Sequence, residues 1–395
     1  MQTNSKISTS YNGDIINGLP VITQLNVDDL AAGKIHRLMF KGVDMNIGQS
    51  WYVPVIIAKG SNSGAKLLLN TGIHGDELNG SRVIHKIFAE LDPMLLSGTI
   101  MGVLQACPNS LMHISKNWYL STDGGDYVNM NRTFPGKVDG DSAYQHAYLL
   151  WNKLWLGNAN YVVDLHSQST DTQYPLFIFA DYRNPICKRM AELIPADQIK
   201  DDAGEKGTVE TTFIEHNIPA ITIELGAARV YQTDYITRSV TGIQNILIDL
   251  KFISGKITHT AQEAKSFVGS EMVSIKAQMG GYAEILVQIG EDVEPEQIVA
   301  QQLNPFGDII HQYKAPVAGK VLSLGDGATR EAGGISTPGS GLGGHGAILF
   351  EYLDFAFCLC GAYRMGHRSS GIVQRKPGAG PYAFGQLVHP CGTRT

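Results

Sequence analysis

Between about residues 50 and 252, short runs of apolar, β-type residues alternate with segments of helical pattern. Consecutive parallel strands need a crossover connection, and a helix is the usual crossover. The alternation therefore predicts an α/β fold with a doubly wound, mainly parallel sheet. The predicted strands are Trp51–Ala58, Lys66–Asn70, Ile100–Cys107, Tyr161–Leu165, Pro175–Ala180 and Pro219–Glu224, and the predicted helices are Leu78–Leu91, Ser142–Leu156 and Asp234–Phe252.

From about Glu271 the pattern changes to short strands separated by glycine-containing turns, which predicts a small all-β domain. The segment from Lys314 to Val321 resembles the barrel-sandwich of biotinyl and lipoyl carriers. The chain lacks the carriers' modifiable lysine with its flanking Met or acidic residues, which favours a structural or gating role. The expected division is a catalytic domain over 20–254, a linker over 255–270, a β domain over 271–350 and a tail of unassigned fold over 351–395.

The net charge and the cysteine pattern argue against several classes of protein. A net charge of −6 without a dense basic cluster argues against a nucleic-acid partner, because phosphate binding needs a surplus of Lys and Arg. The five cysteines are scattered, unlike a disulfide framework. The polar first 20 residues lack the apolar core of a signal peptide, and no run approaches the ~18 apolar residues of a membrane span. These features favour a cytoplasmic protein without a membrane partner and leave homo-oligomerisation open.

The first polar motif follows the strand Lys66–Asn70 and places His74 and Glu77 on a glycine-rich turn. Imidazole and carboxylate groups are ordinary zinc ligands, and a tight turn can direct both to one point. The same pair also suits a histidine of the turn beside an acid at the helix start, where the helix dipole stabilises negative charge. By itself the motif leaves both interpretations open.

The second motif ends the strand Tyr161–Leu165 with Asp164 and His166. Side chains two residues apart on a strand face the same side, so Asp164 can orient His166. A histidine from this distant strand end would complete the three protein ligands of a catalytic zinc site. The alternative is a strand-end histidine with a local hydrogen bond.

The third motif closes the apolar strand Pro219–Glu224 with an acid. Burying a carboxylate is costly unless it has a partner or a task. Glu224 near a metal-activated water could take a proton from it and pass the proton to a leaving amine. The alternative is an ion pair between this acid and a structural cation.

A fourth motif, N-R-T-F-P-G at residues 131–136, lies between the first two. Arg132 offers a planar fork of donors for a carboxylate, and Asn131 offers an amide beside it. An isolated arginine is more often part of a surface salt bridge. The motif alone therefore indicates little.

Taken in order, H-G-D-E, N-R-T-F-P-G, D-L-H-S and a strand ending in Glu resemble the succinylglutamate desuccinylase/aspartoacylase family of zinc carboxypeptidase-like deacylases. The resemblance covers roughly residues 35–252 and extends loosely into the β domain. It implies one Zn²⁺ per chain and hydrolysis of a small N-acyl amino acid or a related N-acyl compound by attack of water on the acyl carbonyl. The implied roles are metal ligands for His74, Glu77 and His166, general base and acid for Glu224, and substrate-carboxylate binding for Asn131 and Arg132.

The chain departs from the family in one respect. Relatives usually carry a second arginine before the N-R pair to polarise the scissile carbonyl, and no arginine lies between Arg82 and Arg132. Lys116 is the nearest upstream cation and is the candidate substitute; otherwise zinc polarises the carbonyl alone or the role is missing. Two other functions remain open at this point, namely a metallocarboxypeptidase that acts on peptides and a non-catalytic zinc- or ligand-binding relative.

Overall fold

The computed structural model describes residues 8–121, 125–168, 170, 172–325, 329–330 and 347–349. The predicted tail over 351–395 lies outside the described residues. The strands up to residue 269 are β1 (Ser10–Ile16), β2 (Leu19–Gln24), β3 (Lys34–Asp44), β4 (Ser50–Lys59), β5 (Asn62–Thr71), β6 (Ser97–Val103), β7 (Trp118–Leu120), β8 (Asp126–Val128), β9 (Tyr161–Gln168), β10 (Thr172–Gln173), β11 (Leu176–Ala180), β12 (Gln198–Asp201), β13 (Ala220–Ala227) and β14 (Phe267–Gly269).

The helices alternate with these strands. They are α1 (Asn79–Glu90), α2 (Pro108–Met112), α3 (Ser142–Leu149), α4 (Pro185–Glu192), α5 (Val209–Glu215), α6 (Thr233–Asp249) and α7 (Ala261–Ala264). Short 3-10 helices occupy Val27–Asp29 and Met130–Arg132, and α3 continues into a π-helical turn over Leu150–Trp155. The single helix predicted for Ser142–Leu156 therefore changes its hydrogen-bond pattern halfway.

One sheet organises the molecule up to residue 269, with strand order β1-β2-β3-β4-β6-β5-β9-β13-β11-β12-β14. Its central strands β6, β5, β9 and β13 are mutually parallel, and α1 connects β5 to β6. The α/β class and the mainly parallel sheet are confirmed. The sheet is nevertheless mixed, because β4 runs antiparallel to β6 and β11 runs antiparallel to β13.

Two parts of the sheet were not predicted. Strands β1, β2 and β3 extend it at one edge, and the second half of β3 alternates buried and half-buried residues, as expected for a strand with one face on the core. At the other edge, β14 pairs in parallel with β12. The expectation that residues 255–270 form a plain linker is therefore wrong, because this stretch contains α7 and the last strand of the sheet.

Apolar side chains cover both faces of the sheet. Alternate residues of the central strands enter two separate clusters, so that Val163 packs with α1 and α6 on one face and Val162 packs with α3 and α5 on the other. Trp155 and Phe213 pack against each other in the second cluster. Because the central strands are covered on both faces, polar side chains among them need partners.

After residue 269 the chain forms two four-stranded sheets, with orders β15-β23-β20-β17 and β19-β18-β16-β22. A small cluster that includes Val293, Val299 and Val321 lies between them. The strands are β15 (Glu271–Val273), β16 (Gly281–Ile285), β17 (Asp292–Val293), β18 (Ile298–Leu303), β19 (Ile309–Lys314), β20 (Gly319–Val321), β21 (Leu324–Gly325), β22 (Thr329–Arg330) and β23 (Ala347–Leu349). The barrel-sandwich class and the exact domain bounds stay predictions.

This β module contacts the large sheet. Leu322 packs with Tyr174 and Phe177, and Gln198 on β12 donates a hydrogen bond to the carbonyl of Val321 at 2.9 Å. Strand β21 also pairs with β10. No helix among the described residues is long and apolar enough to cross a membrane.

His146 on α3 is fully buried between the N-terminal strands and the loop after β6. Its Nε2–H donates to the carbonyl of Ala106 at 2.8 Å, and its Nδ1 accepts the backbone N–H of Val43 at 3.4 Å. A second proton would place N–H against N–H at Val43. Burial also disfavours the charged ring and lowers the pKa of His146 to about 4.

We predict that His146 makes the fold acid-sensitive. Its pKa lies below the unfolded value of 6.5, so its contribution to the free energy of unfolding is complete above pH 6.5 and declines as pH falls toward 4. The loss amounts to about 3 kcal/mol. Urea unfolding of wild type and His146→Gln between pH 7.5 and 4.5 should give a stability difference that shrinks with acidification. A difference that is constant over this range would contradict the prediction.

Candidate active site

The candidate site lies where three adjacent parallel strands end. Strands β5, β9 and β13 are neighbours, so their carboxyl ends meet at one edge of the sheet. His74 follows β5, His166 lies near the end of β9, and Glu224 on β13 is the register partner of His166. The turn after β5 is tight, because Gly72 has φ +75° and a Cβ at Gly75 would overlap the backbone of Ser110. Glycine at both positions lets this turn pack closely.

Glu77 joins the two histidines. Its Oε1 lies 2.6 Å from Nδ1 of His74, and its Oε2 lies 2.9 Å from Nδ1 of His166 and accepts the backbone N–H of Ser167 at 2.9 Å. One donor atom from each of these three residues lies within 4.8 Å of the other two. All three side chains are buried. The sequence-predicted ligand set therefore converges at one point.

The other ring nitrogen of each histidine, Nε2, also has a hydrogen-bond partner. Nε2 of His166 lies 2.8 Å from Oδ2 of Asp164, whose Oδ1 accepts an N–H of Asn70 at 2.7 Å. Nε2 of His74 lies 3.0 Å from Oδ1 of Asn129. The same Asn129 oxygen accepts the backbone N–H of Asn131 at 2.9 Å, which is consistent with the amide orientation. Each imidazole thus directs its Nδ1 at Glu77.

This arrangement suits a cation. Both nitrogens of each ring face oxygen acceptors, so a neutral imidazole that donates from Nε2 turns the lone pair of Nδ1 toward the Glu77 carboxylate. Either protons or a metal ion must lie between them. Imidazole nitrogen and carboxylate oxygen are zinc ligands, and hydrogen bonds from the outer nitrogens to Asn129 and Asp164 orient ligands as in known zinc sites. His74, Glu77 and His166 fit a zinc ion.

The pKa shifts of Glu77 and His166 are those expected for a site that stabilises positive charge. Burial alone would raise the pKa of Glu77, yet the charges and hydrogen bonds of His74 and His166 lower it below its usual range. Burial would lower the pKa of His166, yet Asp164 and Glu77 raise it well above its usual value. Two buried carboxylates therefore surround one imidazole.

Glu224 is the second buried acid at this edge of the sheet. Burial, together with the negative charges of Glu77 and Asp164, raises the pKa of Glu224 to about 8 against the opposing charges of His166 and Lys116. Phe177 is its register partner on the other side and adds apolar surroundings. Its Oε2 is buried and has no hydrogen-bond partner among the described residues. Such an acid can hold a proton near neutral pH and release it.

The remaining predicted residues lie in different settings. Lys116 is close enough to Glu224 for its charge to lower the pKa of that acid. Oδ1 of Asn131 accepts the backbone N–H of Val209 at 2.9 Å, at the start of α5. Arg132 is half-exposed and pairs with Glu205 at 2.6 Å, which is the surface salt bridge that the sequence left open. Substrate binding by these three residues stays a prediction.

Asn129 and Asn70 were not predicted to take part. Asn70 is a polar residue at the end of an apolar run, which is only a weak signal of a functional role. Its position predicts no more than the end of a strand. Asn129 contacts His74 across 55 positions of sequence, and the N-x-N-R pattern gives no reason to prefer it over Asn131. Asn129 contacts His74 directly, whereas Asn70 contacts Asp164, the partner of His166.

Comparisons with known proteins agree with this geometry. Residues 63–250 match the model of the succinylglutamate desuccinylase/aspartoacylase catalytic domain. The N-alpha-acetyl-L-2,4-diaminobutyric acid deacetylase of Halomonas elongata is 21% identical over 258 residues, which cover 63% of this chain and 73% of that protein. The product-bound ectoine utilization protein EutE of Ruegeria pomeroyi has a TM-score of 0.66 at 19% identity, covering 77% of this chain and 95% of that one. A succinylglutamate desuccinylase/aspartoacylase from Rhodobacter sphaeroides has a TM-score of 0.65 at 19% identity, covering 78% and 96%. At these identities the structural likeness establishes the fold.

We predict that Asn129 sets metal affinity through His74. Asn129→Ala removes the oxygen that orients the ring, and loss of such an outer partner weakens metal binding by about 10–100-fold. Zinc affinity measured by competition with a chelating dye tests this. Asn245→Ala is the control, because the Asn245 side chain also makes hydrogen bonds within the fold, but to the carbonyls of Leu193 and Thr258 rather than to a histidine of the site. If Asn129→Ala and wild type bind zinc with equal affinity, Asn129 does not set metal affinity through His74.

Proposed function

Because residues 63–250 belong to the succinylglutamate desuccinylase/aspartoacylase family, we propose that this protein is a zinc-dependent hydrolase of a small N-acyl amino acid. The cleaved bond is a linear amide, and the products are a carboxylic acid and an amine. A relative at 21% identity carries the name of a deacetylase of an acylated diamino acid, which supports this substrate class. The main support for this proposal is that His74, Glu77 and His166 converge beside Glu224, whose buried Oε2 has no hydrogen-bond partner among the described residues.

His74, Glu77 and His166 would hold the metal, with Asn129 and Asp164 orienting the two rings. When bound, a zinc ion supplies a water molecule of lowered pKa and a positive charge that favours the ionised form of Glu224. Three protein ligands leave a coordination position for water or substrate, as catalytic zinc sites require.

Glu224 moves the proton. In its ionised form it takes a proton from the water molecule that attacks the acyl carbonyl, and it then donates this proton to the departing amine nitrogen. The apolar neighbour Phe177 lies beside Glu224, whose Oε2 has no hydrogen-bond partner among the described residues. Burial keeps the pKa of Glu224 near neutrality, so that the acid can serve in both directions. A strongly paired carboxylate could not do this.

Arg132 and Asn131 hold the substrate carboxylate in this proposal. The present partner of Arg132 is Glu205, whose side chain is 61% exposed. Exposed ion pairs contribute little to stability, about 0–1 kcal/mol, so a substrate carboxylate can replace Glu205 at small cost. Asn131 would donate its Nδ2–H to that carboxylate, because the bond from the Val209 N–H occupies only its Oδ1 and holds the side chain in place.

Lys116 supplies the positive charge that relatives provide with a second arginine. Its charge reaches Glu224, the acid beside the reacting carbonyl. In that place an ammonium group would stabilise the negative oxygen formed when water adds to the carbonyl. An ammonium is a point charge, so it can stabilise a single oxygen without the two-pronged geometry that carboxylate binding uses.

The central test combines metal loading with a substrate panel. Zinc-loaded wild type should hydrolyse one or more N-acetyl or N-succinyl amino acids and leave short peptides intact. Glu224→Gln should lose about 10²–10⁴-fold in kcat because the proton carrier is gone, while binding one zinc per chain. Product amine and zinc content are measured on the same samples.

Glu210→Gln is the control for this test. Glu210 is also a buried acid, but it lies on α5 rather than at a strand end, and its Oε2 accepts a hydrogen bond from Thr222. It should keep wild-type turnover. Full activity in Glu224→Gln would show that Glu224 is not the proton carrier. Cleavage of peptides in preference to acyl amino acids would favour a metallocarboxypeptidase.

We predict a specific pattern of substitution at Lys116. Lys116→Met removes the charge and should lower kcat by about 10²-fold with a smaller change in KM, as for loss of one oxyanion donor. Lys116→Arg restores the cation used by relatives and should keep kcat within about tenfold of wild type. Steady-state kinetics on the best substrate of the panel decides this. A Lys116→Met enzyme with unchanged kcat would contradict the assignment.

A further inference from the structure

The segment that carries Lys116 has no regular structure after α2 and depends on contacts with other segments. The carbonyl of Ser115 accepts the backbone N–H of Gly75 at 2.9 Å, and the N–H of Ser115 donates to the carbonyl of Ser110 at 3.0 Å. Residues 113–117, here called the lysine loop, therefore contact the turn that carries His74 and Glu77 through a backbone hydrogen bond. The end of α2, just before the loop, also lies close to Gly75 of this turn.

Arg229 adds a side-chain contact to the lysine loop. It follows β13, and its backbone N–H donates to the carbonyl of Asp76 at 2.9 Å. Its Nη2 donates to the carbonyl of Ile114 at 2.7 Å, and its Nε lies 3.7 Å from Oδ2 of Asp76. One side chain thus reaches the lysine loop and the residue next to the ligand Glu77.

Asp76 needs this cation. Its side chain is only 7% exposed, its Oδ1 has no hydrogen-bond partner among the described residues, and the ion pair that it makes is with Arg229. A buried carboxylate without a cation is costly, so the contact with Arg229 stabilises this conformation of the turn. The strand after which Arg229 comes also carries Glu224.

From these contacts we propose that Arg229 is a positioning residue, which ties the lysine loop to the turn of His74 and Glu77 and so fixes Lys116 relative to the ligands. The role rests on the proposed function, since it concerns the placement of Lys116 in that reaction. Two of the guanidinium nitrogens are already directed at protein oxygens, which favours positioning over direct capture of substrate. Such tethering matters because a misplacement of about 1 Å can cost 10²-fold in rate.

Hydrogen exchange tests the tether without any substrate. In Arg229→Gln, amide exchange over the lysine loop, residues 113–117, should accelerate by about tenfold, because the loop opens more often. Arg189→Gln is the matched control, since Arg189 is similarly exposed and pairs with Asp249 on another surface. Unchanged exchange in the lysine loop of Arg229→Gln would overturn the tether.

A double-mutant cycle tests positioning. In wild-type background Arg229→Gln should lower kcat by about tenfold with a smaller change in KM, whereas in Lys116→Met background it should lower kcat by less than about twofold. A purely structural role predicts the same loss in both backgrounds, and that result would overturn positioning. If wild type hydrolyses no acyl amino acid, the proposed function fails, and the exchange measurement still decides whether the tether exists.

Discussion

The parallel alignment of β5, β9 and β13 is the constraint on which the site depends. Adjacent parallel strands end at the same edge, so residues that are about 90 positions apart in sequence, such as Glu77 and His166, come within hydrogen-bond distance. The ladder also fixes the register of His166 against Glu224. A shift of one residue would turn either side chain to the opposite face, into the apolar cluster around Val163.

Charge balance explains why so many polar groups can be buried at this edge. Glu77, Asp164 and Glu224 bring up to three negative charges into a small volume, and the described hydrogen bonds offset them only in part. An additional cation between the Nδ1 atoms and Glu77 would relieve this excess. The two histidines are also held differently, His74 by the neutral amide of Asn129 and His166 by the carboxylate of Asp164. The second ring is therefore the stronger electron donor.

Sequence patterns predicted the parts of the structure that depend on local information. His74, Glu77, His166 and Glu224 occur in short motifs at strand ends, which a parallel sheet brings to one edge. Each motif alone left an alternative open, and the resemblance of the four motifs to one family was needed to expect this ligand set. The role of Asn129 could not be predicted, because it depends on how an irregular loop folds back on His74. The same holds for β14, which is three residues long and joins the sheet through pairing with β12 rather than through its own pattern.

The positive charge of a lysine at position 116 differs in shape and hydration from that of an arginine. Arginine can bind a carboxylate with two parallel hydrogen bonds, whereas lysine offers a compact, strongly hydrated charge on a flexible stem. A lysine therefore acts at a defined point only where the backbone beneath it is held, and the contacts of Ser115 and Arg229 hold it here. In the proposed function, two-pronged recognition of a substrate carboxylate falls to Arg132, whose exposed partner Glu205 contributes little to stability. The proposed replacement of arginine by Lys116 would then depend on the contacts of Arg229, a residue more than 100 positions away in the chain.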